Sequence, residues 1–155
     1  MKNAGQNESG WEQHFLLFRK ALAKLSVAVD ILKPNEEENL ELEEVDDLLR
    51  EGLIKRFEYT HEHAWTLMKE YALYLENKTV KGPKDSTLEG LKMGLIVDAD
   101  GWMSMLASRH EITRMYDEES TAVLFQKILE SYYLLLLIFE EKMEGLLSEM
   151  KRWHL

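Results

Sequence analysis

LLREGLIKRFEYTHEHAWTLMKEY, residues 48 to 71, is the stretch whose reading decides the fold. Leu49, Leu53, Phe57, Thr60, Ala64, Met68 and Tyr71 recur at three and four residues, which is one face of an α-helix rather than the two-residue alternation of a strand. Leu75 extends that stripe, and no glycine pair or proline interrupts it. The helix is therefore longer than about 30 residues, a length typical of helical bundles.

The same periodicity recurs on both sides. Phe15, Phe18, Leu22, Leu25, Val29 and Leu32 form a stripe from near Trp11 to Lys33, where Pro34 stops it. Phe125, Ile128, Leu129, Tyr132, Leu136, Phe139, Met143, Leu146 and Met150 form another, on a helix from about Glu118 to near Lys151. From Tyr132 to Phe139 that helix is apolar on every side, which suits a central position or an oligomer interface. Between them, ENKTVKGPKDS (76 to 86) is a loop, with Ser86 and Glu89 at capping-box spacing before GLKMGLI. A short helix opens at Asp98 or Asp100 and carries Trp102, Met105 and Leu106. No β-hairpin signal and no repeat of 20 to 50 residues is visible. The expected fold is all-α, an up-and-down antiparallel bundle of four to five helices in one domain over residues 1–155, with 1–10 a disordered tail.

Composition narrows the function. The chain has 155 residues, normal for one core, and 45% hydrophobic content. Without cysteine there are no disulfides, thiolate metal sites or thiol catalysis. The start, MKNAGQNESG, lacks the apolar run of a signal peptide. The longest apolar run, YYLLLLIF, is too short to cross a bilayer. A soluble, cytoplasmic protein without a membrane partner is expected. The net charge of −10 repels nucleic acid, so any polyanion contact needs a local Lys/Arg cluster.

The candidate chemistry is sparse. No Gly-rich phosphate loop, H-E-x-x-H or G-x-S-x-G occurs. The six glutamates of NEEENLELEE (35 to 44) read as a solvated helix start at the positive end of the dipole, capped by Asn35 or Asn39. His61 and His63 lie two apart on a helix and diverge, so no shared metal is expected and both read as structural. Glu58 and Arg56 lie in the most aromatic part of the helix; Glu58, beside the core position Phe57, needs a cationic partner when half-buried, or else is a functional polar group in a groove. ASRHEITRMYDEES (107 to 120) gathers Arg109, His110, Arg114 and Tyr116 at a helix-to-helix junction, with Asp117 placed to cap the next helix. These groups suit ion pairing with the neighbouring carboxylates or phosphate binding by charge-assisted hydrogen bonds.

Three blocks carry a resemblance: LLREGLIKRFEYTHEHAWTLMKEY, with its R-F-E-(F/Y)-T-x-E-x-A-W pattern; GPKDSTLEGLKMGLIVDADGWMSMLASRHEITRMYDEESTA (82 to 122); and WEQHFLLFRKALAKL near the start. In that order they resemble the nucleotidyltransferase substrate-binding protein family of the wider HEPN group, similar to the C-terminal helical domain of kanamycin nucleotidyltransferase. The resemblance implies a helical bundle, usually a homodimer, that pairs with a separate small nucleotidyltransferase. ATP and magnesium would belong to that partner, because the chain shows no G-S-x-x-x-G-x-x-x-S-D-x-D segment. It also implies an R-N-x-x-x-H-x-Y pattern, which in several HEPN proteins is a metal-independent ribonuclease site and, in toxin–antitoxin pairs, carries an adenylylated tyrosine. Here Arg109 and Tyr116 match, while His110 stands at the Asn position and Arg114 at the His position. An arginine cannot exchange a proton near neutral pH. His110, next to Arg109, points roughly 100° away on a helix. The reading is a non-catalytic substrate-binding or regulatory subunit, with Arg109, Arg114, Tyr116, Glu58 and Arg56 as substrate- or phosphate-binding candidates and Tyr116 as the modification site. The alternative is a ribonuclease toxin regulated at Tyr116.

Overall fold

In the computed structural model, the described residues are 10–32, 43–77, 79–112 and 118–153. Among them no strand occurs, and the fold is an all-α bundle. Helix α1 spans Gly10–Leu32 and α2 spans Glu43–Tyr74; α3 is Pro83–Lys92 and α4 is Ala99–Glu111. Helix α5, Glu118–Lys127, passes through a single π turn, Ile128–Tyr132, into α6, Tyr133–Trp153. The π turn is marked by the Tyr133 N–H donating to the Ile128 carbonyl, five residues back.

Cross-helix contacts set the directions. Trp11 at the start of α1 meets Tyr71 and Tyr74 at the end of α2, so these two run antiparallel. Phe18 packs edge-on against Phe139, and the Tyr133 hydroxyl donates to Ser26 at 2.8 Å, which makes α1 antiparallel to α6 as well. Phe57 stacks on Tyr132 and Arg50 lies over Phe125, so α2 and the α5–α6 helix run the same way. Trp102 meets Phe139 while Ser108 meets Tyr132, which sends α4 back against α6. The result is the expected up-and-down arrangement, with α3 and α4 together as the third column.

Sequence stripes become buried faces. Trp11, Phe15, Phe18, Leu22, Leu25 and Val29 are buried on α1; Leu53, Phe57, Thr60, Ala64, Leu67 and Met68 are buried on α2. Two glycines permit close approach. A Cβ at Gly101 would meet Leu135 Cδ1 and Asp98 Oδ2 at 2.6 Å each, and one at Gly90 would meet Met68 Sδ at 2.8 Å. Small residues at these two points let α4 sit on α6 and α3 on α2.

Several expectations need correction. Leu75 lies beyond the end of α2 and is exposed. Gly10, placed in the tail, already belongs to α1. Helix α3 opens one turn earlier than the Ser86–Glu89 spacing suggests, because Pro83 sits at its first turn after Gly82. Ser86 is then inside the helix, and its hydroxyl donates back to the Gly82 carbonyl at 2.7 Å. Asp98 does cap α4, accepting from the Gly101 N–H at 2.9 Å. The helix around Tyr132–Phe139 is not buried on every side: Leu134 is 55% exposed and Ile138 40%. The Asn35, Asn39 and Asp117 caps, Pro34, and the glutamates up to Glu41 lie outside the described residues.

The eight-residue apolar run also understates its helix. Residues Glu119–Trp153 form one helix of 35 residues that is long and apolar enough to cross a membrane by length and composition. Its inner face, including Ile128, Tyr132, Leu136, Phe139 and Met143, is core of the bundle. Burial thus accounts for much of its apolar character.

Removal of a core ring separates the two faces of α6. Phe139→Ala is expected to lower unfolding free energy by about 3–5 kcal/mol, and Leu134→Ala by less than about 0.5 kcal/mol. Denaturant midpoints of the two variants check this.

Candidate functional site

Arg109 occupies the last turn of α4 and reaches across to α2. Its position is fixed by the residue before it. The Ser108 and Ser104 hydroxyls, one helical turn apart, both bond the buried Tyr132 hydroxyl, at 2.7 and 2.6 Å. From there the Arg109 Nη1 donates to Glu62 Oε2. The same carboxylate oxygen accepts from the Trp65 indole N–H at 3.0 Å. Glu62 and Trp65 share a face of α2 at a spacing of three.

His61 completes the cluster from below. It is fully buried, between the rings of Phe57 at 6.2 Å and Trp102 at 6.4 Å. Its Nδ1 lies 3.5 Å from Arg109 Nη1. A guanidinium only donates, so this contact requires a bare Nδ1 and puts the imidazole proton on Nε2. That Nε2 is buried without a hydrogen-bond partner among the described residues. Burial, then the charges of Arg109 and His110, push the pKa of His61 down to about 3, against the opposing pull of Glu62. His61 is neutral at physiological pH. Burial would raise the Glu62 carboxyl, but the hydrogen bonds from Arg109 and Trp65 and the Arg109 charge outweigh it and hold the pKa below the ordinary value.

Beside this cluster lies an open groove of about 280 Å³, lined by Glu62, Trp65, Pro83, Leu106, Arg109 and His110. His110, the next residue on α4, lines the same groove as Arg109. The groove combines a guanidinium, a carboxylate, an imidazole and an indole face. It can hold an anion on Arg109 and a planar group on Trp65.

The other sequence candidates fall elsewhere. Arg56 and Glu58 do not pair with each other: Arg56 Nη1 donates to the Lys24 carbonyl at 2.6 Å, and Glu58 Oε2 lies 3.7 Å from Lys55 Nζ. Neighbours two apart on a helix diverge, and each found a partner on its own side. Arg114 and Tyr116 lie outside the described residues. His61 and His63 point to different places, His61 to Arg109 and His63 to a groove between α1 and α2. Sequence reasoning missed Glu62 as the partner of Arg109 and His61 as its neighbour. The signal was present, since both fall inside the R-F-E-Y-T-x-E-x-A-W pattern.

Neutral burial of His61 couples folding to pH. Its folded pKa lies below the ordinary histidine value of 6.5, so the unfolded chain takes up the extra proton. Stability is therefore full above about 6.5 and lost as pH falls towards about 3, by up to about 1.4 kcal/mol per pH unit. In His61→Gln this loss should be shallower over that window, as read by denaturant unfolding at stepped pH.

Comparison with known proteins agrees with this architecture. No curated protein matches the chain. A solved structure, HI0074 from Haemophilus influenzae, described as revealing the fold of a substrate binding domain of a nucleotidyltransferase, superposes with a TM-score of 0.71. It is 21% identical, and the match covers 84% of this chain and 98% of that one, so the two share a fold. Residues 13–145 match the family described as nucleotidyltransferase substrate binding protein like, and the chain belongs to that family.

Proposed function

We propose that the chain is a non-catalytic substrate-binding and regulatory subunit that works in the cytoplasm, as a homodimer, paired with a separate small nucleotidyltransferase. The carrying observation is the Arg109–Glu62–Trp65 cluster at the edge of an open groove. Family membership and the likeness to HI0074 support the nucleotidyltransferase context. Glu62 acts as an internal anion that keeps the Arg109 guanidinium oriented. An acceptor carrying a phosphate or carboxylate takes over part of that fork when it binds. The partner supplies ATP, magnesium and the transfer chemistry, consistent with the missing G-S-x-x-x-G-x-x-x-S-D-x-D segment. Arg114 and Tyr116, outside the described residues, stay substrate-binding candidates on the sequence pattern alone.

A second reading has one observation in its favour. His110 lines the same groove as Arg109, so a titratable imidazole is at hand there although the motif's His position holds Arg114. RNA cleavage by the isolated chain, abolished in both Arg109→Ala and His110→Ala, would establish it.

Co-expression with a separate small nucleotidyltransferase from the same genome tests the first reading. A stable complex on a sizing column is expected, with unchanged intact mass after ATP and magnesium are added. Arg109→Ala should leave the complex intact and raise the acceptor KM by roughly one to two orders of magnitude, the loss of a charged hydrogen bond. Failure to form a complex overturns the proposal. An AMP adduct that disappears in Tyr116→Phe makes the chain the partner's substrate instead.

A further inference from the structure

The bundle has a second groove, on the opposite side of α2 from Arg109. It lies between α1 and α2, with a volume of about 200 Å³. Leu17, Lys20 and Lys24 contribute from α1, and Arg56, Tyr59 and His63 from α2. The spacings 17-20-24 and 56-59-63 put each set on one helical face. His61, Glu62 and Trp65 point from α2 to the other side.

Its charge is the unexplained feature. The chain has 29 acidic and 19 basic residues, yet no carboxylate lines this groove. Three cations elsewhere are neutralised, Arg19 by Glu140 and Glu144, Lys55 by Glu58 and Arg109 by Glu62. Among the described residues Lys20, Lys24, Arg56 and His63 have no ion pair. Lys20 and Lys24 stand four apart on α1, a like-charge spacing that weakens a helix. Arg56 is held in place by its 2.6 Å bond to the Lys24 carbonyl, which bridges the two helices and adds a third positive charge. The three positive charges repel one another, and an anion between them reverses the sign of that interaction. At the rim Tyr59 is 56% exposed, with Leu17 also exposed, which provides a flat apolar surface next to the charge.

We infer that the groove between α1 and α2 is a binding site for a nucleoside phosphate, its phosphates held by Lys20, Lys24 and Arg56 and its base against Tyr59. The global charge of −10 limits the ligand to a compact anion, since an extended polyanion would meet acidic surface beyond the groove. The groove is complete within this chain, so the inference stands or falls without the nucleotidyltransferase partner.

Calorimetric titration of the isolated chain with magnesium-free ATP, tripolyphosphate and adenosine tests it. Saturable ATP binding is expected, weakened roughly tenfold or more by the double change Lys20→Gln/Lys24→Gln. Tyr59→Ala should weaken ATP by roughly tenfold, to the level of tripolyphosphate. All three residues are exposed, so the variants are expected to fold, as circular dichroism will verify. Three results overturn the inference: no ATP binding at millimolar concentration, binding unchanged in the lysine double variant, or tripolyphosphate binding as tightly as ATP. Loss in Arg109→Gln while the lysine variant still binds moves the ligand to the other groove and overturns it equally.

Discussion

The hydroxyl of Tyr132 is buried in the middle of the bundle, and everything around Arg109 depends on how it is satisfied. A hydroxyl left unpaired in such a core costs on the order of 1–3 kcal/mol. Ser104 and Ser108 answer it from α4 at 2.6 and 2.7 Å, and the Tyr132 ring stacks on Phe57 of α2 at 5.4 Å. One residue thus fixes three helices. Arg109 follows Ser108, and His61 lies one turn beyond Phe57, so the same contacts bring them within 3.5 Å. The π turn that ends at Tyr132 is part of this arrangement. It adds a residue to the helical turn and changes the facing of α5 relative to α6.

Much of the fold was legible because burial follows period. Phe15, Phe18, Leu22 and Leu25, and then Leu53, Phe57, Ala64 and Met68, are all buried, as a 3.6-residue repeat requires. Less was legible where two local rules compete. Ser86–Glu89 has capping-box spacing, but Pro83 is a stronger start signal and makes Ser86 interior. The π turn has no sequence mark, since Ile128, Leu129 and Tyr132 fit an ordinary helix equally well. Around Leu134 and Ile138 the all-round apolar pattern left a central position or an oligomer interface open, and within the chain both side chains are exposed, so the helix is not central.

The site was harder to read than the fold, because its partners are distant in sequence. Arg109 and Glu62 are 47 residues apart, and nothing in either local stretch names the other. Glu58 has a cationic partner, Lys55, on its own side of α2, while Arg56 bonds the Lys24 carbonyl on another. His61, read as structural, is buried, and a buried histidine under a guanidinium is also part of that guanidinium's environment. Because it stays neutral, Arg109 keeps a single compensating charge, Glu62, rather than facing a second cation.

The two grooves of α2 therefore differ in the ligand they can hold. On the α4 side, Arg109 and Glu62 cancel, and a ligand gains affinity by sharing an oriented fork rather than by neutralising free charge. Such an arrangement discriminates by shape and hydrogen bonding. On the α1 side, three permanent cations have no carboxylate, and attraction to an anion is direct. One helix thus separates a near-neutral groove from a positive one. The separation rests on the 3.6-residue turn, which sends Glu62 and Trp65 to one side and Arg56, Tyr59 and His63 to the other.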